Sequence, residues 1–63
     1  MTGYVYETDT MHLVAIINGR DNTHVEHIAG NHYDLGEEYG LTYTPSFGCA
    51  DGLIDNGDAL IIG

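Results

Sequence analysis

The apolar run Met11–Ile17 (MHLVAII) is the feature that most limits what this chain can fold into. It is almost continuously apolar, and it becomes rich in β-branched residues towards its end. Such a run predicts a central strand that is covered on at least part of both faces. Asn18-Gly19 follows directly and has the residue types of a turn, so the strand is expected to end there.

Two further segments predict strands. Gly3–Thr8 alternates with a period of two, which indicates a first strand before the central one. Apolar residues also alternate with Thr and Ser along Leu41–Phe47, which predicts a half-buried strand. Because Pro45 has no amide proton to donate, this strand is expected to lie at a sheet edge or to end there.

Close to the last residues, Leu53–Asp55 and Asp58–Ile62 stand on either side of Asn56-Gly57. Asn-Gly between two apolar segments is the strongest short-range signal of a β-hairpin, because both residues tolerate the backbone conformation of a type I′ turn. The segment therefore predicts a hairpin whose turn is formed by Asn56-Gly57.

One helix is predicted between the central strand and the later strands. The residues at i, i+3, i+4 and i+7 that would form its apolar face are Val25, Ile28, Ala29 and His32. Thr23 and Glu26 have the spacing of a capping box at its start. Alternatively, Asp21 or Asn22 caps the helix. We expect the helix to end near residue 33 or 34.

These elements give the order β-β-α-β-β-β. We therefore predict an α+β fold with two layers, in which one helix packs on one face of a mostly antiparallel sheet of about four to five strands. The 63 residues are expected to form a single small acidic domain, 1–63. A hydrophobic share of 43% makes a compact core feasible.

The charge of the chain is strongly unbalanced, because ten Asp and Glu residues accompany a single base, Arg20, and the net charge is −9. One guanidinium pairs with one carboxylate or two. Most of the carboxylates must therefore face water or a basic partner. The same charge repels nucleic acid and anionic membranes, so we expect neither as a direct partner.

The four histidines do not predict a metal site. His24 and His27 fall on the outer face of the predicted helix, Glu26 lies towards the edge of that face, and His32 falls within the apolar stripe. These side chains do not converge on one point, and their spacing matches neither a zinc protease nor a Cys/His structural site. We expect two exposed histidines and His32 hydrogen-bonded beneath the helix.

Other patterns of catalytic chemistry are equally weak in the sequence. The Asp-rich segment 51–58 lacks the acidic alternation, the central glycine and the terminal Glu of a calcium loop. Ser46 has no acid–base partner suggested by the sequence, and Cys49 is expected to be a small buried residue. No phosphate-binding glycine motif precedes the helix. We therefore expect a protein that is not an enzyme and binds no cofactor.

The expected compartment is the cytoplasm. Cys49 is the single cysteine, so no disulfide can form within the chain, which fits a reducing compartment. The first residues lack the basic start and apolar run of a signal peptide. No apolar stretch approaches the roughly 18 residues of a membrane span.

The acidic residues occupy the helix, a mid-chain loop and the last turns. We predict a partner-binding acidic surface formed by Glu26, Asp34, Glu37, Glu38, Asp51, Asp55 and Asp58. One explanation of the near absence of bases is mimicry of DNA, which carries one negative charge per roughly 1.7 Å of its axis. The other is an acidic surface that serves solubility or adaptation to high salt.

In its size, its acid excess, its lone Arg20 and its α+β plan, the chain resembles the small anti-CRISPR proteins of phages and mobile elements. Tyr4–Thr8 and Gly40–Pro45 are also similar to segments of uncharacterised phage proteins. The resemblance implies an inhibitor in the cytoplasm of the host bacterium. It would occupy the basic site where a type I CRISPR effector complex recognises the protospacer-adjacent motif or admits DNA. The alternative is an acidic antitoxin or regulatory subunit that neutralises a basic protein. We expect a monomer.

Overall fold

One helix packs with a four-stranded mixed sheet in a computed structural model that describes residues 1–48 and 50–63. In chain order the elements are β1 (Thr2–Glu7), β2 (Leu13–Asn18), α1 (Asn22–His32), β3 (Tyr39–Thr42) and β4 (Leu60–Ile62). The predicted α+β fold is confirmed, with one strand fewer than the predicted order. Cys49, for which burial was predicted, lies outside the described residues.

The sheet is built around β1 and β2, its two central strands. Its strand order is β3-β1-β2-β4, where β1 runs antiparallel to both β2 and β3, and β2 runs parallel to β4. The apolar run therefore becomes a central strand, as predicted. Leu13, Ala15 and Ile17 are buried and the residues between them are half-buried, so both faces of β2 are at least partly covered.

The core lies between one face of the sheet and α1. Val5, Ala15 and Ile17 from the sheet meet two residues of the helix, Val25 and Ala29, and all five are inaccessible to solvent. Burying a side chain of the size of Val or Ile stabilises a fold by about 1.5–3 kcal/mol. These contacts hold the helix on the sheet and so fix where its two ends lie.

Gly3 allows the helix to approach β1 closely. A Cβ atom at this position would overlap Cγ1 of Val25 and would lie 2.9 Å from Cδ1 of Leu41, a residue of β3. Any larger side chain would push either the helix or β3 away from the sheet. Packing is therefore the reason why this strand position needs glycine.

Asp21 caps the helix, which confirms the alternative prediction and not the capping box. Its Oδ1 accepts a hydrogen bond of 2.9 Å from the backbone N–H of His24. Because α1 already begins at Asn22, Thr23 is inside the helix and is not its cap. The helix ends one residue before Tyr33, within two residues of the predicted end. In the part of the chain that the structure describes, no helix is long and apolar enough to cross a membrane.

The prediction that His32 is hydrogen-bonded beneath the helix is wrong, because His32 is exposed. The buried positions Val25 and Ala29 are four residues apart, and the next position at that spacing is Tyr33. Its ring packs edge-on against the ring of Tyr39 with centroids 5.0 Å apart. The aromatic side chain thus takes the inward place, and the more polar His32 turns towards solvent.

β3 is shorter than the predicted strand Leu41–Phe47 and ends at Thr42. It is an edge strand, and Pro45 lies beyond its end, which agrees with the reason given for placing Pro45 at an edge or an end. The backbone N–H of Thr44 donates to the hydroxyl of Thr42 at 3.3 Å. The chain then leaves the sheet, so the second half of the predicted strand is not formed.

The predicted C-terminal hairpin is wrong. A type I′ turn requires a positive φ at both central residues, and Asn56 does not have one. Instead, the carboxylate of Asp55 accepts a hydrogen bond of 2.8 Å from the N–H of Gly57, which forms an Asx turn. The edge of β2 that faces away from β1 offers unpaired backbone groups. Both later segments therefore pair there in parallel, Ile54 with His12 and β4 with β2.

Candidate functional site: the acidic end of the sheet

The two ends of the sheet carry different charges. Thr2 pairs with Asn18 at one end, and Glu7 pairs with Tyr39 at the other. The end that contains the Glu7–Tyr39 pair also receives the C-terminus of α1, since the helix runs back from the end of β2 to the start of β3. We refer to it as the acidic end. It carries Glu7, Asp9, Asp34, Glu37, Glu38, Asp51 and Asp55.

Thr8 joins two loops of the acidic end. Its hydroxyl lies 2.9 and 3.2 Å from the backbone carbonyl oxygens of Glu37 and Glu38, and its N–H donates to the Glu38 carbonyl at 3.0 Å. These contacts use backbone oxygens and leave both carboxylates at the surface. Because Glu7 and Asp9 flank Thr8 in sequence, the structure places them beside the loop of Glu37 and Glu38.

Asp34 joins this end by following the C-terminus of α1. Leu35 forms an isolated bridge with Tyr39, and the N–H of Gly36 donates to the Tyr39 carbonyl at 2.9 Å. The segment after the helix is thereby held next to the start of β3. The negative pole of the helix dipole points to the same place and adds to the field of the carboxylates.

Asp55 lies at the acidic end on the side of β2, and Asp51 lies close to that end. Asp51 lines a shallow pocket of about 140 Å³ that extends from Tyr6 and Met11 to the end of β3 and the segment that follows it. Ile54 donates its N–H to the carbonyl of Met11 at 2.8 Å, and Asp55 is the next residue. The acidic end therefore extends along the sheet from β3 to the segment beside β2.

The basic groups lie at the opposite end. The N-terminal amine of Met1 donates to the carbonyl of Gly19 at 2.8 Å, and Arg20 follows as an exposed residue. The backbone N–H of Arg20 donates to Nδ1 of His24 at 3.0 Å. His24 is therefore half-buried and hydrogen-bonded, which corrects the prediction of two exposed histidines. His27 is exposed as predicted.

Two of the predicted site residues lie away from the acidic end. Glu26 is on the first half of α1, close to Tyr43, whose hydroxyl donates to the carbonyl of Asn22 at 3.1 Å. Burial raises the pKa of Tyr43, and the nearby carboxylate of Glu26 raises it further. Asp58 lies in the loop before β4. The structure thus brings together five of the seven predicted residues and leaves Glu26 and Asp58 apart.

Sequence reasoning did not include Glu7 and Asp9 in the site. Both stand in or next to β1, far in sequence from the loop of Glu37 and Glu38. The signal that joins them is the antiparallel pairing of β1 with β3, which sets Glu7 opposite Tyr39. The positions of the charges along the sequence do not predict this pairing.

Nine of the ten acidic residues are exposed, and the tenth, Glu7, is half-buried. Within residues 1–48 and 50–63, no three His, Asp, Glu or Cys residues form a group that could hold a metal ion. What the exposed carboxylates can do is accept hydrogen bonds from Lys and Arg, and Arg can bind a carboxylate with two parallel bonds. The acidic end is thus suited to a surface rich in these residues.

No protein-family model, curated protein or solved structure matches this chain.

Proposed function

We propose that this protein is a non-enzymatic, stoichiometric inhibitor that presents DNA-like charge to a basic DNA-binding protein and blocks its nucleic-acid site. The observation that carries the proposal is the gathering of seven carboxylates at one end of the sheet, with Arg20 and the N-terminal amine at the other. A protein with this asymmetry approaches a cationic groove with its acidic end first.

The amount of charge supports the proposal. A DNA duplex as long as the greatest dimension of the molecule, 30 Å, carries roughly 18 phosphate charges. The chain has a net charge of −9, about half of that value, and concentrates its acids at one end. A groove of Lys and Arg residues that binds a short stretch of phosphates would attract the acidic end by the same interaction.

The strength of such a complex depends on the number of ion pairs and on how far the interface excludes water from them. Exposed pairs contribute only about 0–1 kcal/mol each, whereas close pairs within an interface contribute about 1.5–7 kcal/mol of coupling in measured cases. An acidic end with seven carboxylates offers several pairs at once. Association should be fast at low salt and should slow as salt screens the charges.

The target class that we propose is a type I CRISPR surveillance complex, at the site where it recognises the protospacer-adjacent motif or admits DNA. The support is the likeness in size, charge and α+β plan to small anti-CRISPR proteins. Such a site is basic because it must hold phosphates, and binding of DNA and inhibitor there would be mutually exclusive.

The test is a competition experiment on the complex captured from the natural host. The apparent dissociation constant for a DNA duplex containing the recognised motif should rise in proportion to the inhibitor concentration, and no ternary complex should form. A ternary complex with normal DNA affinity would overturn the proposal. Capture of a basic protein without a nucleic-acid site would also overturn it and would favour an antitoxin or regulatory subunit.

A further inference from the structure

β4 leaves an apolar sheet edge open to solvent. It is the last strand in the order β3-β1-β2-β4, so the described chain places no strand on its outer side. Leu60 is 57% exposed and Ile61 is 68% exposed, whereas Ile62 packs against the core. Two of the three residues of β4 therefore present apolar surface without a covering element.

The exposed apolar surface continues along the same edge. Ile54, which pairs with His12 ahead of β2, is 46% exposed, and it lines a shallow groove together with Phe47, which is 45% exposed. Four of the five large apolar residues that the described chain exposes therefore lie along or beside this edge, the fifth being Met1. Contiguous exposed apolar patches on small proteins commonly mark interaction sites.

The backbone of β4 can also receive a partner. Backbone N–H and C=O groups of successive strand residues point alternately to the two sides of a strand, so at least one residue of β4 directs its pair outwards. Natural sheet edges are usually protected by short strands, charged residues, prolines or bulges, and β4 has only the first of these protections in its sequence, with three residues. Residues 59–63, Ala-Leu-Ile-Ile-Gly, contain no charge and no proline.

The negative charge of the molecule favours a basic chain over a second copy of this protein as the partner at this edge. A second copy would bring another net charge of −9 against the first. Its carboxylates would repel the two exposed carboxylates that precede β4, Asp55 and Asp58. A basic chain would find opposite charge instead. In a strand that alternates apolar residues with Lys or Arg, the apolar side chains would cover Leu60 or Ile61 on one face of the sheet. The aliphatic stems of the Lys or Arg residues would cover the other residue, and their charged ends would meet these carboxylates.

We propose that the outer edge of β4 binds an extended, basic segment of the partner protein as an added strand. The inference rests on the proposed function, since the segment belongs to the same basic partner that the acidic end attracts. It adds a contact of a different kind, in which main-chain hydrogen bonds and apolar burial slow dissociation after charge has steered the encounter.

The first test uses the unaltered protein and a synthetic peptide of about ten residues that alternates Lys and Val, followed by nuclear magnetic resonance. The amides of Leu60–Ile62 should shift and become protected from hydrogen exchange. A matched peptide that alternates Lys and Ser should shift only the acidic end. If the Lys-Val peptide also shifts only the acidic end, or fails to bind, the proposal is overturned. Concentration-dependent shifts of β4 without peptide would reveal a second copy at this edge and would also overturn it.

The second test compares two double variants in binding of the Lys-Val peptide. Leu60→Thr/Ile61→Thr keeps a high strand propensity but removes apolar surface, and should weaken binding by about tenfold. Leu60→Ile/Ile61→Leu keeps the apolar surface and should bind within about twofold of the unaltered protein. Equal binding by all three proteins would contradict the proposal. Because neither test contains DNA or a host protein, failure here is distinguishable from failure of the competition experiment.

Discussion

The two ends of the sheet use their charges differently. At the opposite end, charged groups serve the fold: Asp21 caps α1, and the amine of Met1 binds the carbonyl of Gly19. At the acidic end, the contacts that hold the loops together use backbone atoms and a hydroxyl, with Asp55 as the exception. Most carboxylates of the acidic end are therefore available for recognition.

The two ends of the sheet also differ in how their charges affect the stability of the fold. Like charges gathered at one end repel one another, and they lie at the negative pole of the helix dipole, which favours cations instead. The acidic end consequently opposes folding at low salt, whereas Asp21 at the opposite end supports it. The basic partner that we propose would relieve this repulsion by neutralising the carboxylates.

The largest expected effect is the loss of partner binding when the acidic end is reversed in charge. Glu37→Lys/Glu38→Lys should weaken binding to the partner captured from the host by about a hundredfold, because attraction becomes repulsion at the contact. A control that combines Glu26→Lys with Thr23→Lys and His27→Lys, all exposed on α1, changes the net charge by the same amount away from both the acidic end and β4, and should cost less than about tenfold. Isothermal titration measures both, and equal losses would refute a localised site.

A smaller effect is expected in the free energy of unfolding when single carboxylates are removed at the two ends. Asp21→Ala should destabilise the fold by about 1 kcal/mol, because the N–H of His24 loses its capping partner. Asp34→Ala, at the acidic end, should leave stability unchanged or raise it slightly. Urea denaturation measures both values, and a larger loss for Asp34→Ala would reverse the comparison.

The link between the two loops of the acidic end gives a third prediction. Thr8→Ala removes the hydroxyl that contacts the carbonyls of Glu37 and Glu38 and should lower the free energy of unfolding by about 0.5–1 kcal/mol. Hydrogen exchange should quicken in residues 36–38. Thr8→Ser keeps the hydroxyl and is the control. The account of this loop fails if Thr8→Ser loses as much stability as Thr8→Ala.

The smallest effect concerns ionisation at the opposite end. Glu26→Gln should lower the pKa of Tyr43, which should nonetheless stay above its ordinary value because burial is the larger cause. Since the folded pKa is raised, the contribution of Tyr43 to stability is complete below about pH 10 and is lost as pH rises through the folded pKa. Titration of the Tyr43 ring signals by nuclear magnetic resonance checks the shift, with Asp58→Asn as a control that should not alter it.

Much of the fold could be predicted from local sequence signals. Period-two alternation predicted β1, the apolar run predicted β2, and the apolar face predicted α1, with Asp21 as an alternative to the capping box. The hairpin prediction at Asn56-Gly57 failed because a local turn signal does not contain the competing edge of β2, which binds both Ile54 and β4. The acidic loop of Glu37 and Glu38 was predictable from its charges, whereas Glu7 and Asp9 join it only through strand pairing.

The central claim is that one end of the sheet carries the concentrated negative potential of the molecule. It can be measured without a partner by comparing paramagnetic relaxation of backbone amides caused by a cationic and by an anionic soluble probe. We predict that relaxation by the cationic probe exceeds relaxation by the anionic probe most strongly at residues 8–10 and 34–38, and least around Arg20. An excess spread evenly over the surface of the protein would contradict it.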